Sequence, residues 1–406
     1  MSKGGKTLRS PTARDQILAL ARRIEPKVIS IRRELHRIPE ASFGEVKTHK
    51  RVCTYLRKAG IKVKCITGST GIIATIRGKG KRVVALRADM DALNIQEETR
   101  LSFASVHKGY MHACGHDAHM AIVLGAGVIL NRLQNLPGNL RLIFQPAEET
   151  PPGGALGMIK AGALKAPKVD AILGIHVDPA IPTGKVAVNV GAISASADDF
   201  RITIKGRGGH GSSPHKCVDA IVIACQFVSN LQSVISRMVG ALDSAVVSVG
   251  RITGGARSNI IADKVVLEGT IRARNETTRR KLPRLIRQML RGITSAYGAD
   301  YEFEYIKGYP AVVCDETVSQ VVKEACTEIL GKRNVITTQG FEMGGEDFAY
   351  YARLVPGTVI FLGVGKGKKT YPLHHAKFDI DERALGIGVR VLSYSAYQLL
   401  DQGITG

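Results

Sequence analysis

Residues 111–119 read MHACGHDAH: three imidazoles (His112, His116, His119), a thiol (Cys114) and a carboxylate (Asp117) inside nine positions. These side-chain types are the ligands of zinc and its first-row neighbours. Cys114 and His116, two residues apart, can turn both donors toward one centre. Further candidates stand at the ends of apolar runs, Asp89 and Asp91 in RADMDAL, Glu148 and Glu149 in QPAEE and His176 in GIHVD, and a loop beyond the run at 359–363 come His374 and His375 in YPLHH. Glu148 and Glu149 repel each other and point in different directions unless a cation compensates them. A lone acid or imidazole at a strand end is more often structural than functional. Asp89, Asp91, His112, His119 and His375 are read on that ground as positioning residues. Five donors drawn from four separate segments exceed what one closed tetrahedral ion needs. The count favours two divalent ions sharing a bridging group and a water. Thiolate, imidazole and carboxylate together suit zinc, and the last two also tolerate manganese or cobalt.

Those donors must be held by elements, and the elements are legible. Apolar runs at 71–76, 83–88, 140–144 and 171–177 have the texture of buried parallel strands. Amphipathic patterns at 16–37, 46–59, 117–134 and 154–161 read as helices, so strands and helices alternate as in an α/β sheet with helices on both faces. In such sheets, loops at the carboxyl edge of the strands converge into a ligand crevice. From residue 191 the texture changes. DDFRITIKG, AVVSVGRIT and KVVLEGTIRAR alternate apolar and polar residues, and long helical patterns at 217–239 and 276–297 separate them. The economical architecture there is a small antiparallel sheet with two helices on one face. From about 305 the buried texture returns at 359–365, followed by a last helix at 382–402. The expected organisation is thus a disordered basic tail over 1–15, a discontinuous domain over 16–190 and 305–406 with a mostly parallel central sheet, and an α+β domain inserted at 191–304.

Bulk properties narrow the function. The 406 residues exceed one compact core, and 44% hydrophobic with 23% charged residues is the profile of a globular chain. The longest apolar run, AIVLGAGVIL at 121–130, is half of the roughly 20 residues a membrane span needs. The N-terminus is basic and polar rather than a secretory signal, which makes the cytoplasm the expected compartment. Seven scattered cysteines form no CxxC pair, and all but Cys114 read as small buried hydrophobes. The formal charge of +22 invites a nucleic-acid reading, but the basic residues are spread out and no nucleic-acid motif accompanies them. The densest run, RRKLPRLIRQMLR at 279–291, interleaves an apolar stripe with what reads as a solvated cationic face. Neither nucleic acid nor membrane is expected as a partner.

RRELHRIPEASFGEVKT, ALRADMDAL, MHACGHDAH, IFQPAEE, GIHVDP, GRGGHGSSPH, SNIIADKVVLEGTIR, MGGEDFAYY and LHHAKFDIDE occur in this order between residues 32 and 383. The set resembles the di-metal N-acyl-amino-acid amidohydrolase and carboxypeptidase family, which includes hippurate hydrolases, archaeal thermostable carboxypeptidases and plant auxin-conjugate hydrolases. The resemblance covers nearly the whole chain. It implies a zinc-peptidase-like catalytic domain with an inserted lid or dimerisation domain, and metal ligands at Cys114, His116, Glu149, His176 and His374, the last preferred over His375 because it follows Leu373. It makes Glu148 the catalytic base, gives His210 an oxyanion-supporting role often supplied across a dimer, and puts Asn259 and Arg272 on the substrate's carboxylate. The implied substrates are N-acyl amino acids or short peptides, and the implied assembly is a homodimer or higher homo-oligomer. Two other classes stay open beside it. A metal-binding protein without turnover predicts a missing base, and Glu148 speaks against it. An enzyme using Cys114 as nucleophile with His116 or His119 predicts inactivation by alkylation and indifference to chelators.

Overall fold

A computed structural model of the chain describes residues 11–337, 343–367 and 370–403. Helix α1 (Ala13–His36) starts at a capping box in which Thr12 Oγ1 accepts from Asp15 N and the Asp15 carboxylate accepts from Thr12 N, both at 3.2 Å. The tail expected over 1–15 is corrected accordingly. The box recruits Ala13–Asp15 into the first turn, and residues 1–10 lie outside the described residues. There follow α2 (Val46–Lys58), β1 (Lys62–Cys65), β2 (Ile72–Ile76), β3 (Val83–Asp89), α3 (His116–Arg132), β4 (Asn139–Gln145), α4 (Ala155–Lys160), β5 (Ala171–Pro182) and β6 (Val186–Val188). The chain continues through β7 (Ser196–Lys205), α5 (Ala220–Ser233), β8 (Ala245–Gly254), β9 (Lys264–Ala273), α6 (Glu276–Ala296) and β10 (Asp300–Tyr309). It closes with α7 (Glu316–Leu330), β11 (Val335–Ile336), β12 (Gly357–Gly365) and α8 (Arg383–Gln402).

The described residues divide into two compact units. One contains residues 11–191 and the chain from Cys314 onward, less 343–350; the other contains Ala192–Val313 and 343–350. In the first unit a single sheet runs in the order β1-β2-β4-β3-β5-β12-β6-β11. Strand β3 is parallel to β4 and β5, β5 to β12, and β6 to β11. Strand β2, whose run GIIATI read as parallel, pairs antiparallel with both β1 and β4. Burial on both faces writes such a run whatever the strand's direction. Helix α3 packs against α1 and α8 and is buried almost along its whole length. The 121–130 run is thus a core helix.

The second unit is an antiparallel sheet in the order β8-β9-β7-β10, with α5 and α6 packed on it over a core that includes Phe200, Phe227, Leu267 and Ile286. Two features depart from expectation. DYEFEYIKGY supplies a fourth strand, β10, and the unit continues to Val313 rather than stopping at 304. Residues 343–350, read with the outer domain, belong here as well: Ala195 N donates to Gly344 O at 3.1 Å and Tyr350 Oη to Gly308 O at 3.1 Å. Arg279, read as part of a solvated cationic face, is 1% exposed and forks onto Asp198.

Candidate metal centre

Three backbone features bring the donors to one end of the large sheet. The loop after β3 delivers Asp91, whose carboxylate accepts from the backbone N–H groups of Glu148 and Glu149, both at 3.0 Å, and from Ser42 Oγ at 2.7 Å. Asp91 therefore shapes the loop after β4 without offering itself to a ligand. The same loop is held from behind by Glu45, 0% exposed, whose Oε1 accepts from Ala147 N at 2.8 Å. Ala147, immediately before Glu148, sits at φ +53°, an uncommon setting for a residue with a side chain. The loop 111–115 enters α3 through Gly115, at φ +85°. A Cβ there would lie 2.4 Å from Val177 Cγ2, so only glycine admits the close approach to β5. His374, also at positive φ (+63°), donates its N–H to Ala113 O at 2.9 Å, tying its loop to that of Cys114.

The hydrogen bonds decide which imidazole nitrogens are available. His116 Nδ1 donates to the Asp91 carbonyl at 2.9 Å, so its Nε2 carries the lone pair. His176 Nδ1 donates to the Val177 carbonyl at 2.8 Å, and its Nε2 lies 3.6 Å from Cys114 Sγ. Glu149 Oε1 sits 3.7 Å from His116 Nε2 and 3.5 Å from His374 Nε2. His116 Nε2 and Glu149 Oε1 are both buried without a hydrogen-bond partner. Buried polar atoms left in that state cost about 1–3 kcal/mol each. Donor atoms of Cys114, His116 and His176, of Cys114, Glu149 and His374, and of His116, Glu148 and Glu149 each fall within 4.8 Å of one another. The five residues the resemblance names as ligands therefore converge, and one thiol, three imidazoles and a carboxylate fit a borderline-soft divalent ion.

The electrostatics have the same sense. Burial, joined by Glu149, Glu148 and Asp89, pushes the Cys114 thiol well up. Burial raises Glu149 to about 7 against the pull of His116, with Asp91 and Asp89 adding to it. Burial pulls His116 down, yet Asp89, Asp91 and Glu149 outweigh it and lift it to about 10.

The other candidates separate cleanly. His119 donates from Nδ1 to Asp89 Oδ1 at 2.7 Å and accepts the Val177 N–H on Nε2 at 2.9 Å, so it has no lone pair left to coordinate. Asp89 also takes Arg87 Nη1 at 2.7 Å and orients His119. His112 is buried with neither ring nitrogen hydrogen-bonded, and burial first, then the neighbouring imidazoles His36 and His116, holds it down at about 4. His375 stacks on Tyr371 with ring centroids 4.7 Å apart and accepts from Lys377 N. Glu45 lies inside RRELHRIPEASFGEVKT, where nothing in the sequence marks it as a loop anchor. Its signal, a carboxylate in a turn between two helices, is common.

A second buried layer lies behind the centre. Asp117 accepts from Arg32 Nε and from His36 Nδ1, both at 2.8 Å, and His36 Nε2 meets Glu97 at 3.2 Å. Burial and Arg32 oppose the charge on His36, but Asp117 and Glu97 prevail and its pKa is raised. A raised folded pKa contributes stability that is complete below the unfolded value of about 6.5 and drains away as pH rises through the folded value. His36→Gln is therefore expected to lose most stability relative to the parent at about pH 6 and less at about pH 9, read from urea melts at both. An equal deficit at the two pH values would show that His36 is neutral when folded.

In the second unit, His210 is exposed and accepts from Ser212 N at 3.2 Å on Nδ1, with Ser212 Oγ at 2.8 Å from the same nitrogen. Gly209 and His210 pair with Ile260 and Ile261, and Gly211 N donates to Asn259 O at 2.8 Å, so His210 and Asn259 share one two-stranded ribbon. Arg272 lies on β9, where its Nη1 donates to the Asp198 and Ile271 carbonyls, both at 3.2 Å, and to the Thr270 hydroxyl.

A mostly parallel sheet with an inserted α+β unit and a thiol–imidazole–carboxylate cluster at its strand ends defines a class, the amide-cleaving metallohydrolases. The chain belongs to peptidase family M20/M25/M40, whose profile matches residues 85–398. It is 40% identical over 378 residues to the N-acetylcysteine deacetylase of Bacillus subtilis, covering 92% of this chain and 97% of the relative. It is 40% identical over 374 residues to thermostable carboxypeptidase 1 of Saccharolobus solfataricus, covering 90% and 94%. A Bacillus subtilis structure described as a dinuclear metal binding peptidase of family M20 superposes with a TM-score of 0.82 at 37% identity, covering 94% of this chain and 99% of that one. The chain is an amide hydrolase. Among the described residues no helix is long and apolar enough to cross a membrane.

Proposed function

We propose that this hydrolase uses two divalent ions, held by Cys114, His116, Glu149, His176 and His374, to release free amino acids from N-acyl amino acids or from the C-terminus of short peptides. The observation that carries the reading is the facing pair of buried, unpartnered atoms, His116 Nε2 and Glu149 Oε1, 3.7 Å apart. Bound at these residues, the ions supply Lewis acidity toward the scissile carbonyl and acidify a water. Glu148 takes the proton of the attacking water and returns it to the leaving nitrogen, so that amide and water become carboxylic acid and amine. Its backbone N–H on Asp91 Oδ1 fixes where the carboxylate starts from. His210 supports the oxyanion, and Asn259 and Arg272 take the substrate's carboxylate, for which the forked guanidinium of Arg272 is suited. Zinc is the first choice of ion for a set that includes a thiolate, with manganese or cobalt tolerated by the remaining donors. Homodimerisation through the inserted unit is part of the same reading and rests on the family resemblance.

A Cys114 nucleophile is disfavoured by its surroundings. Reactive thiols sit in electropositive settings that stabilise the thiolate, and here burial and three carboxylates push the thiol the other way. The test is amino-acid release from N-acetyl, N-benzoyl and short-peptide substrates, before and after chelation and with zinc, manganese or cobalt restored. Chelation is expected to abolish release and metal to restore it, with the best substrate beginning to define the acyl pocket. Release that survives removal of the metal, shown by elemental analysis, would sink the two-ion reading.

A further inference from the structure

Away from the metal centre, α2 and β1 bring together three donors that the amide-cleaving site leaves unused. His49 and Cys53 stand one helical turn apart on the same face of α2, and Cys65 ends β1 beside them. Cys53 Sγ lies 3.6 Å from His49 Nε2 and 3.9 Å from Cys65 Sγ, and the three donor atoms all fall within 4.8 Å of one another. The tautomer of His49 is determined by its other nitrogen. Nδ1 is 2.7 Å from the Thr70 carbonyl, which only accepts, so Nδ1 carries the proton and Nε2 turns its lone pair toward the thiols. A backbone carbonyl behind the ring is the arrangement that orients metal-ligating histidines.

Two of the three spacings can be set against tetrahedral geometry. With metal–sulfur and metal–nitrogen bonds of about 2.3 and 2.05 Å, two donors on a tetrahedral zinc are about 3.8 Å apart for a sulfur pair and about 3.5 Å for sulfur and nitrogen. The observed 3.9 and 3.6 Å match both edges. A disulfide would require the two sulfurs to close to about 2.05 Å. The burial is graded: Cys53 buried, His49 half-buried, Cys65 exposed. One position therefore faces solvent, where water completes the shell.

We propose that His49, Cys53 and Cys65 form a second, independent metal site, a Cys2His cluster for one thiophilic divalent ion of the zinc type, open to water at its fourth position. Binding displaces the two thiol protons to solvent, so the dication and two thiolates leave no net charge. The ion would staple α2 to the β1–β2 hairpin at the edge of the large sheet, where strand pairing on one side is missing.

The test uses the full chain with Cys114→Ser, which removes the thiolate of the principal centre, titrated with cobalt(II) under a non-thiol reductant. The expected result is a sulfur-to-cobalt charge-transfer band that grows to saturation, is lost in the Cys114→Ser/Cys65→Ser variant, and is weakened at least about tenfold in Cys114→Ser/His49→Gln. Cys65 is exposed, so its replacement by serine leaves folding intact. Zinc should also raise the Tm of Cys114→Ser, and adding Cys65→Ser should make that rise smaller. No band, or a band indifferent to Cys65, would overturn the site and leave only a thiol–imidazole hydrogen bond. Should Cys114→Ser fail to fold, Cys65→Ser alone must carry about one zinc fewer per chain than the parent after dialysis, and equal zinc contents would overturn the proposal.

Discussion

Glu148→Gln is expected to keep its metal and lose about 10²–10⁴-fold in kcat. The amide side chain matches the carboxylate in shape and leaves the backbone hydrogen bond from residue 148 to Asp91 untouched. It cannot take a proton from water at neutral pH. Glu149, the neighbour that faces His116 and His374, is unaltered, so metal content should match the parent by elemental analysis. The comparison with Glu149→Gln is informative because the two residues are adjacent and chemically alike but carry different proposed roles. The second variant is expected to lose metal as well as turnover. If Glu148→Gln works within about tenfold of the parent, some other group moves the proton and the role assigned to Glu148 is wrong.

The largest effect on stability is expected in the second unit. Asp198 accepts from Arg279 Nε at 2.8 Å, Arg279 Nη2 at 2.6 Å, Gly308 N at 2.8 Å and Tyr305 Oη at 2.7 Å, with both charged partners essentially out of solvent. Arg279→Met fills the same volume but strands the carboxylate, and breaking a buried pair from one side costs about 3–5 kcal/mol. Urea melts that follow the second unit should show a loss in that range. Asp198→Asn/Arg279→Met, which removes both charges, should recover part of it, because desolvating two ions is expensive in the first place. A single-variant loss below about 1 kcal/mol would mean that water reaches the stranded carboxylate and that the pair is not sealed.

How far the sequence carried can be judged from particular residues. Cys114, His116, Glu149, His176 and His374 were candidates because few side chains can bind a metal, and the family resemblance was needed to name these five as a set. The buried runs of β3, β4 and β5 were legible for a related reason: strands covered on both faces have no polar alternation to hide them. Strand β1, KVKC, was not, since four largely exposed residues at a sheet edge carry no hydrophobic signature. The same exposure hid Cys65, which composition alone placed among the buried thiols.

The kinds of donor, their order along the chain and the α/β framework that gathers them were thus determined by the sequence itself, because ligand chemistry and burial both restrict residue type. Which nitrogen of each histidine is free was decided only by the tertiary structure. His119 has the same chemistry as His116 and lies one turn away, but Asp89 and the Val177 amide consume both its nitrogens, while His116 spends one on the Asp91 carbonyl. Arg279 was likewise indistinguishable from its basic neighbours until Asp198 met it from a strand about eighty residues earlier in the chain. A lone pair and a buried charge depend on partners distant in sequence, and no local pattern records who those partners are.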